Sequence, residues 1–276
     1  MMSSMRWRRS GRLLLVTGGS GFVGRHLVER AARDDWQVIA PPSGAMDVTR
    51  ADLVAREIGT WRPHAVVHLA YRKDDRRNIV DGSRNVARAA GDVGARLVHV
   101  STDVVFGGRP TPYTEADPVS PITDYGEWKA EAEVEVARTH PGAAIVRTSL
   151  VYGSEQYGHV ERDVEQVLAG RSTTAYFTDE VRCPVAADDL AAALSALAAR
   201  AEVTGPLHVA GPEAVDRATL ARLVARRLGA GAAAERLPTT TLAATGLRRP
   251  GVVMLDCSRA AALGITCRPV SQVLAG

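Results

Sequence analysis

Eight residues near the N-terminus constrain this chain more than any others. Thr17-Gly18-Gly19-Ser20-Gly21-Phe22-Val23-Gly24 follows a short apolar run at 13–17 and opens an amphipathic stretch, Phe22–Arg33. Within that stretch Phe22, Val23, Leu27, Val28 and Ala31 fall close to helical spacing. Glycine lets a backbone turn tightly and approach a ligand without a Cβ clash. A helix that begins there offers unpaired N–H groups and a positive dipole end, which suits a pyrophosphate. The candidate pyrophosphate residues are Gly18, Gly19, Ser20, Gly21, Phe22 and Val23. Gly19 and Gly24 also have P-loop spacing, but Arg25 and His26 stand where a P-loop needs Lys and Ser or Thr, which disfavours ATP hydrolysis.

The pattern continues as β-like runs at 37–40, 65–70, 96–101 and 143–147, with helical stretches at 78–90 and Asp124–Thr139. Strands without strict alternation, separated by helices, indicate a parallel sheet covered on both faces. The expected fold is therefore α/β: a doubly wound Rossmann-type parallel sheet with a smaller C-terminal substrate-binding lobe. Beyond Tyr152 the pattern weakens to helices at 160–169, 188–199 and 217–228, a strand at 207–210 and an irregular tail from 237. Residues 1–152 are read as the dinucleotide-binding core, with 184–211 returning to it. Residues 153–276 are read as mainly the substrate-binding lobe, closing over the carboxyl edge of the sheet.

Composition removes several classes. Apolar residues make up 46% and charged ones 24%, so disorder is not the default. A net charge of +3 gives no argument for nucleic acid. Part of the excess is the arm carrying Arg6, Arg8, Arg9 and Arg12, read as a solvated tail. Cys183, Cys257 and Cys267 form no Cys-x-x-Cys pair, so neither a disulfide framework nor zinc is expected, nor any other metal. No run has the length of a membrane span or a secretory leader core. The expected setting is cytoplasmic.

Cofactor choice is read from the end of the second strand. NAD enzymes usually place an acid there for the ribose hydroxyls. Here the residues are Val38-Ile39-Ala40-Pro41-Pro42-Ser43. A 2′-phosphate would meet no repulsion, and Arg25 is expected to reach it. NADPH is the expected cofactor, with NADH as the alternative.

Ser101-Thr102 ends a strand at the edge where such sheets bind ligands. Tyr125 and Lys129 are four apart and share one helix face. A lysine ammonium beside a tyrosine favours phenolate and lowers its pKa from about 10. Tyr125 is thus the candidate general acid, Lys129 its tuner and cofactor anchor, and Thr102 the group orienting a substrate carbonyl. Arg182, in a polar loop before a proline, could grip a phosphate bidentately. His68 and His99 lie in apolar strands and are expected to be hydrogen-bonded core histidines. Asp188 and Asp189 are expected to cap the helix that follows them.

With these residues in place the chain resembles the dTDP-4-dehydrorhamnose reductase family of extended short-chain dehydrogenases/reductases. The resemblance rests on 17–24, His68-Leu69-Ala70 and Asn78-Ile79-Val80-Asp81-Gly82. It continues with Ser101-Thr102-Asp103-Val104-Val105-Phe106-Gly107-Gly108, Tyr113-Thr114-Glu115, Tyr125-Gly126-Glu127-Trp128-Lys129 and Arg147-Thr148-Ser149-Leu150-Val151-Tyr152-Gly153. Arg182-Cys183-Pro184, Asp189-Leu190-Ala191, Arg249-Pro250 and Leu255-Asp256 extend it. The resemblance implies hydride transfer to the 4-keto group of a nucleotide-linked deoxysugar. It also implies cofactor contacts at Asp47, Val48, Leu69, Ala70 and Tyr71, and substrate contacts at Asp103, Val104 and Arg249. Three features depart from the family: Val104 replaces a usual aromatic, Tyr71-Arg72-Lys73 is unusually basic, and the stretch from 153 to 179 matches weakly.

Two other readings share these motifs. A sugar-nucleotide epimerase or 4,6-dehydratase would recycle its cofactor, and a dehydratase would want Glu where Val104 stands. A regulatory subunit like that of methionine adenosyltransferase would keep the cofactor fold without turnover. The expected partner is a small nucleotide-sugar substrate, not nucleic acid or a membrane. A homodimer is left open.

Overall fold

The computed structural model describes residues 11–153 and 157–275. Arg6, Arg8 and Arg9 lie outside the described residues. Arg12 belongs to the first strand, with its guanidinium 4.5 Å from the centre of the Trp36 ring.

Six strands form one sheet: β1 (Arg12–Thr17), β2 (Trp36–Ile39), β3 (Ala65–His68), β4 (Arg96–Thr102), β5 (Ala144–Thr148) and β6 (Gly205–His208). Their spatial order is β6-β5-β4-β3-β1-β2, and every neighbouring pair is parallel. Seven longer helices accompany them: α1 (Phe22–Arg33), α2 (Ala51–Trp61), α3 (Gly82–Asp92), α4 (Asp124–Thr139), α5 (His159–Leu168), α6 (Ala187–Ala198) and α7 (Arg217–Arg227).

Successive strand residues feed opposite faces, and both faces are covered. Leu14, Val16, Ala65 and Val67 pack with Leu27 of α1 and Leu190, Leu194 and Leu197 of α6. Leu15 and Val66 point the other way, into Val54 and Ile58 of α2 and Val86 of α3. This two-sided burial is why the strands read as continuous apolar runs. A third core joins α5 and α7 through Val160, Val164, Leu220 and Val224, and adds Val270, Val273 and Leu274 near the C-terminus.

The strand order reverses at β1, which lies between β2 and β3. The connections from β1 and β3 therefore part on either side, and open sheets bind ligands in the crevice this leaves at the carboxyl ends.

Local details differ from the sequence reading. Helix α2 fills a span where periodicity singled out no element. The stretch at 78–90 begins as a wider π turn, Arg77–Asp81, before α3. The tail from 237 contains short helices, Leu242–Thr245, Ser258–Ala262 and Val270–Leu274. Asp188 and Asp189 make no side-chain cap on α6. Instead Asp188 meets His26 Nδ1 at 2.5 Å, tying α6 to α1, and Asp189 accepts the Arg268 backbone N–H at 2.7 Å. Tertiary partners on neighbouring segments outcompete the local cap.

Candidate active site

The crevice at the carboxyl edge is a cleft of about 860 Å³. One half is built almost wholly from backbone. Gly18 follows β1 with φ +70°, and a Cβ there would lie 2.9 Å from the Ala70 backbone nitrogen. Only glycine allows the turn after β1 to sit against the turn after β3. The Gly21 N–H closes the turn on the Gly18 carbonyl at 2.9 Å. Helix α1 then starts with no side-chain cap and no acidic residue in its first turn. Its first amides stay available to an anion.

Beneath this loop a hydrogen-bond chain fixes both turns. The Thr17 hydroxyl accepts the Leu69 and Ala70 N–H groups at 3.2 and 3.1 Å and pairs with His68 Nδ1 at 2.7 Å. The other His68 ring nitrogen meets the Ser83 hydroxyl at 3.2 Å, which donates to the Ile79 carbonyl at 2.6 Å. Since the Thr17 oxygen accepts twice, its own hydrogen goes to Nδ1, and His68 is the neutral Nε2–H tautomer. Burial, aided by Lys129, holds its pKa down at about 3. His68 thus fits its expectation. His99 is equally buried, but neither ring nitrogen has a hydrogen-bond partner, which corrects the expectation for it.

Gly18, Ser20, Gly21, Phe22, Val23, Asp47, Val48, Leu69, Ala70 and Tyr71 all line the cleft. Asp47 accepts the Thr49 N–H and hydroxyl at 2.9 and 2.8 Å, and these bonds hold its carboxyl below the usual range. Two expected cofactor residues do not line it. Gly19 faces Ala40, whose Cβ would lie 2.5 Å from a Cβ at Gly19. Arg25 is exposed, and its guanidinium donates to the Ser20 carbonyl at 3.2 Å. It braces the loop from outside. The end of β2 contributes Pro41, Ser43 and Gly44 to the lining instead.

The catalytic candidates enter from β4 and α4. Thr102 ends β4, and its hydroxyl donates to Asp103 Oδ1 at 3.3 Å. The start of α4 packs directly on the turn after Thr102, because a Cβ at Gly126 would lie 2.4 Å from the Val104 carbonyl. Glycine there brings Tyr125 beside Thr102. Thr102, Tyr125 and Lys129 all line the same cleft as the glycine loop.

Their electrostatics differ from the sequence expectation. Burial pushes the Tyr125 phenol well above its ordinary value; Tyr71 and Asp103 add to this, and the neighbouring Thr102 hydroxyl opposes it. Lys129 is not among these leading influences. Its ammonium donates to the Val100 carbonyl at 2.8 Å, and burial lowers its pKa to about 8, against the pull of Glu133. The lysine is pinned to β4, and desolvation of the phenol outweighs any stabilisation of phenolate. Tyr71 stands over the pair, with its ring centre 6.0 Å from that of Tyr125 and 5.2 Å from the Lys129 nitrogen.

The other half of the cleft is built from charged side chains. Arg182 is 4% exposed. Its guanidinium donates to the carbonyls of Val181 and Gly251 at 2.8 Å and of Pro250 at 2.7 Å. It also stands 3.7 Å from Asp103 and 3.5 Å from Glu180. These partners use its donors, so it staples 249–251 to this wall and is not free to grip a phosphate. Asp103 accepts the Ser149 hydroxyl at 2.6 Å, and burial raises its pKa against the pull of Arg182. Arg249 meets Glu180 at 3.3 Å and keeps 39% of its side chain exposed. Val104 and Arg249 line the cleft as expected.

Sequence reasoning missed His159, Glu180 and Arg217, which also line it. They come from three segments of the weakly matching half, and no local motif marks them. Among the described residues no group of three or more His, Cys, Asp or Glu is placed to hold a metal, and no helix is long and apolar enough to cross a membrane.

Comparison with known proteins agrees with this layout. The dTDP-4-dehydrorhamnose reductase of Mycolicibacterium smegmatis is 30% identical over 263 residues, covering 92% of this chain and 80% of that protein. Methionine adenosyltransferase 2 subunit beta of Bos taurus is 29% identical over 283 residues, covering 92% and 83%. Among solved structures, dTDP-4-dehydrorhamnose reductase from Bacillus anthracis in complex with NADP superposes with a TM-score of 0.84 at 24% identity, covering 95% of this chain and 97% of that one. The family model for the RmlD substrate binding domain matches residues 12–275, and the chain belongs to that family.

Proposed function

We propose that this chain is an NADPH-dependent reductase of the 4-keto group of a nucleotide-linked deoxysugar, with Tyr125 as proton donor. One observation carries the reading: the glycine loop and the Thr102-Tyr125-Lys129 set line one cleft at the strand-order reversal. The uncapped start of α1 and the Gly18 turn suit a dinucleotide pyrophosphate, and Asp47 and Val48, in the lining of the same cleft, are assigned to its adenosine half. When bound, the nicotinamide supplies hydride. Tyr125 holds its proton through neutral pH, so its donor form dominates. Thr102 offers a hydroxyl to the same carbonyl oxygen. Lys129 fixes the floor of the site through Val100 and holds its charge below pH of about 8. NADPH is favoured over NADH because no acid ends β2, though the exposed Arg25 lends no support to that preference. Residues 153–276, apart from 184–211, would form the lobe that receives the sugar nucleotide.

The test is a panel of dTDP- and UDP-linked 4-keto sugars with NADPH and with NADH. A reductase consumes reduced cofactor in proportion to product. An epimerase or dehydratase would convert substrate with no net consumption, and that outcome would sink the reading. The similarity to methionine adenosyltransferase 2 subunit beta favours a second reading, a cofactor-binding regulatory subunit. NADPH binding without oxidation across the panel, together with capture of a partner enzyme, would support it.

A further inference from the structure

Tyr71 lines the cleft in the turn after β3 and sits beside the Tyr125–Lys129 pair, yet it is 51% exposed. We infer that Tyr71 is a proton relay, whose hydroxyl passes a proton from bulk water to Tyr125 after each reduction. This rests on the reductase reading above and extends it to the step that restores the proton donor.

Turnover requires such a step. When the carbonyl carbon gains hydride, its oxygen takes the Tyr125 proton and Tyr125 is left as phenolate; the carbonyl is reduced and the nicotinamide oxidised. The phenolate must regain one proton before the next round. A phenolate in a dry setting is costly, so it draws that proton strongly. Its neighbours narrow the source. Lys129 is buried, and its ammonium donates to the Val100 carbonyl at 2.8 Å. The Thr102 hydroxyl donates to Asp103, itself buried. Lys73 is exposed, but its nitrogen lies over the face of the Tyr125 ring, 5.7 Å from the centre, and is not among the leading influences on the phenol.

Tyr71 has both ends of a route. The Thr17 hydroxyl accepts the Leu69 and Ala70 N–H groups, which holds the backbone just before Tyr71. Its ring is tilted 36° to that of Tyr125, with centres 6.0 Å apart. After burial, the neighbouring Tyr71 hydroxyl has the largest influence on the Tyr125 phenol. The exposed half of the same side chain meets water. The transfer balances: the Tyr71 O–H bond breaks as the Tyr125 O–H bond forms, and the Tyr71 oxygen then takes a proton from water or a buffer acid. The Lys129 ammonium, 5.2 Å from the Tyr71 ring centre, steadies the negative charge in passage.

Tyr71→Phe keeps the ring and removes only the relay oxygen. Rapid-mixing kinetics with a nucleotide-linked 4-keto sugar and saturating NADPH should show a first turnover as fast as wild type. Later turnovers should slow by about tenfold to hundredfold, at or below the usual worth of a positioned proton donor. The solvent isotope effect on kcat should rise, and added imidazole should restore kcat in the variant but not raise it in wild type. A second arm needs no turnover. The Tyr125 hydroxyl proton exchanges with solvent, and ring-carbon NMR of labelled tyrosine in mixed light and heavy water reads that rate, with Tyr125→Phe identifying the signal. Exchange should slow by about tenfold in Tyr71→Phe. Wild type that oxidises no NADPH would count against the reductase reading, and the exchange rate would still judge the relay. A first turnover slowed as much as kcat, or an unchanged exchange rate, would overturn the inference.

Discussion

The two halves of the cleft are built from different materials. The glycine-loop half uses backbone: a left-handed Gly18, free amides at the start of α1, and strand ends clamped by Thr17 and His68. The opposite half uses ions: buried Asp103, Glu180 and Arg182, with the half-exposed Arg249, drawn from separate segments. A backbone site tolerates most side-chain change but depends on a few glycines. An ionic site depends on every charge having its partner.

Breaking the ionic half should cost most. Arg182→Met leaves Asp103 and Glu180 short of a countercharge in a dry setting. Losing one partner of a buried pair costs about 3–5 kcal/mol. Denaturant melts should show that loss, and an unchanged midpoint would mean the network stabilises nothing.

The backbone half should yield to one methyl group. Gly18→Ala places a side chain at φ +70° and against Ala70. Backbone strain of this kind costs about 1–3 kcal/mol. NADPH affinity should fall with stability, whereas affinity for a nucleoside diphosphate should not. Equal loss of both would erase the distinction between the halves.

These materials explain what the sequence disclosed. Glycines 18, 21 and 24 and the apolar runs around them are contiguous, so the fold and the loop were legible by eye. Thr102, Tyr125 and Lys129 were legible because a strand end and a four-residue helix spacing fix them. Arg217, Glu180 and His159 were not, because only tertiary packing brings them together. The same limit produced the errors. Arg182 looked free until its carbonyl partners 68 and 69 residues away were known. The phenol's upward shift depends on burial, which spacing does not report.

Lys129 sharpens the comparison where the halves meet. Its folded pKa of about 8 lies below the usual 10.5. Charge is therefore lost as pH rises through about 8, and kcat/KM should fall on that alkaline limb. Lys129→Arg, charged throughout, should move the limb upward. The unfolded chain holds the extra proton between those two values, so stability contributed by this group rises with pH across that window. Lys129→Met should remove that rise in pH-dependent melts.

The smallest effect belongs to Arg25, outside the cleft. Arg25→Ala should change stability by no more than about 0.5 kcal/mol. It should also leave the ratio of KM for NADPH to KM for NADH unchanged. A collapse of that ratio would return Arg25 to the 2′-phosphate.

The convergence of Tyr125 on the space above the glycine loop is tested most directly by Tyr125→Phe. With a nucleotide-linked 4-keto sugar and saturating NADPH, kcat should drop by about 10²–10⁴, the usual worth of a positioned acid. The dissociation constant for NADPH should stay as in wild type. Full-rate oxidation of NADPH by the phenylalanine variant would contradict the assignment.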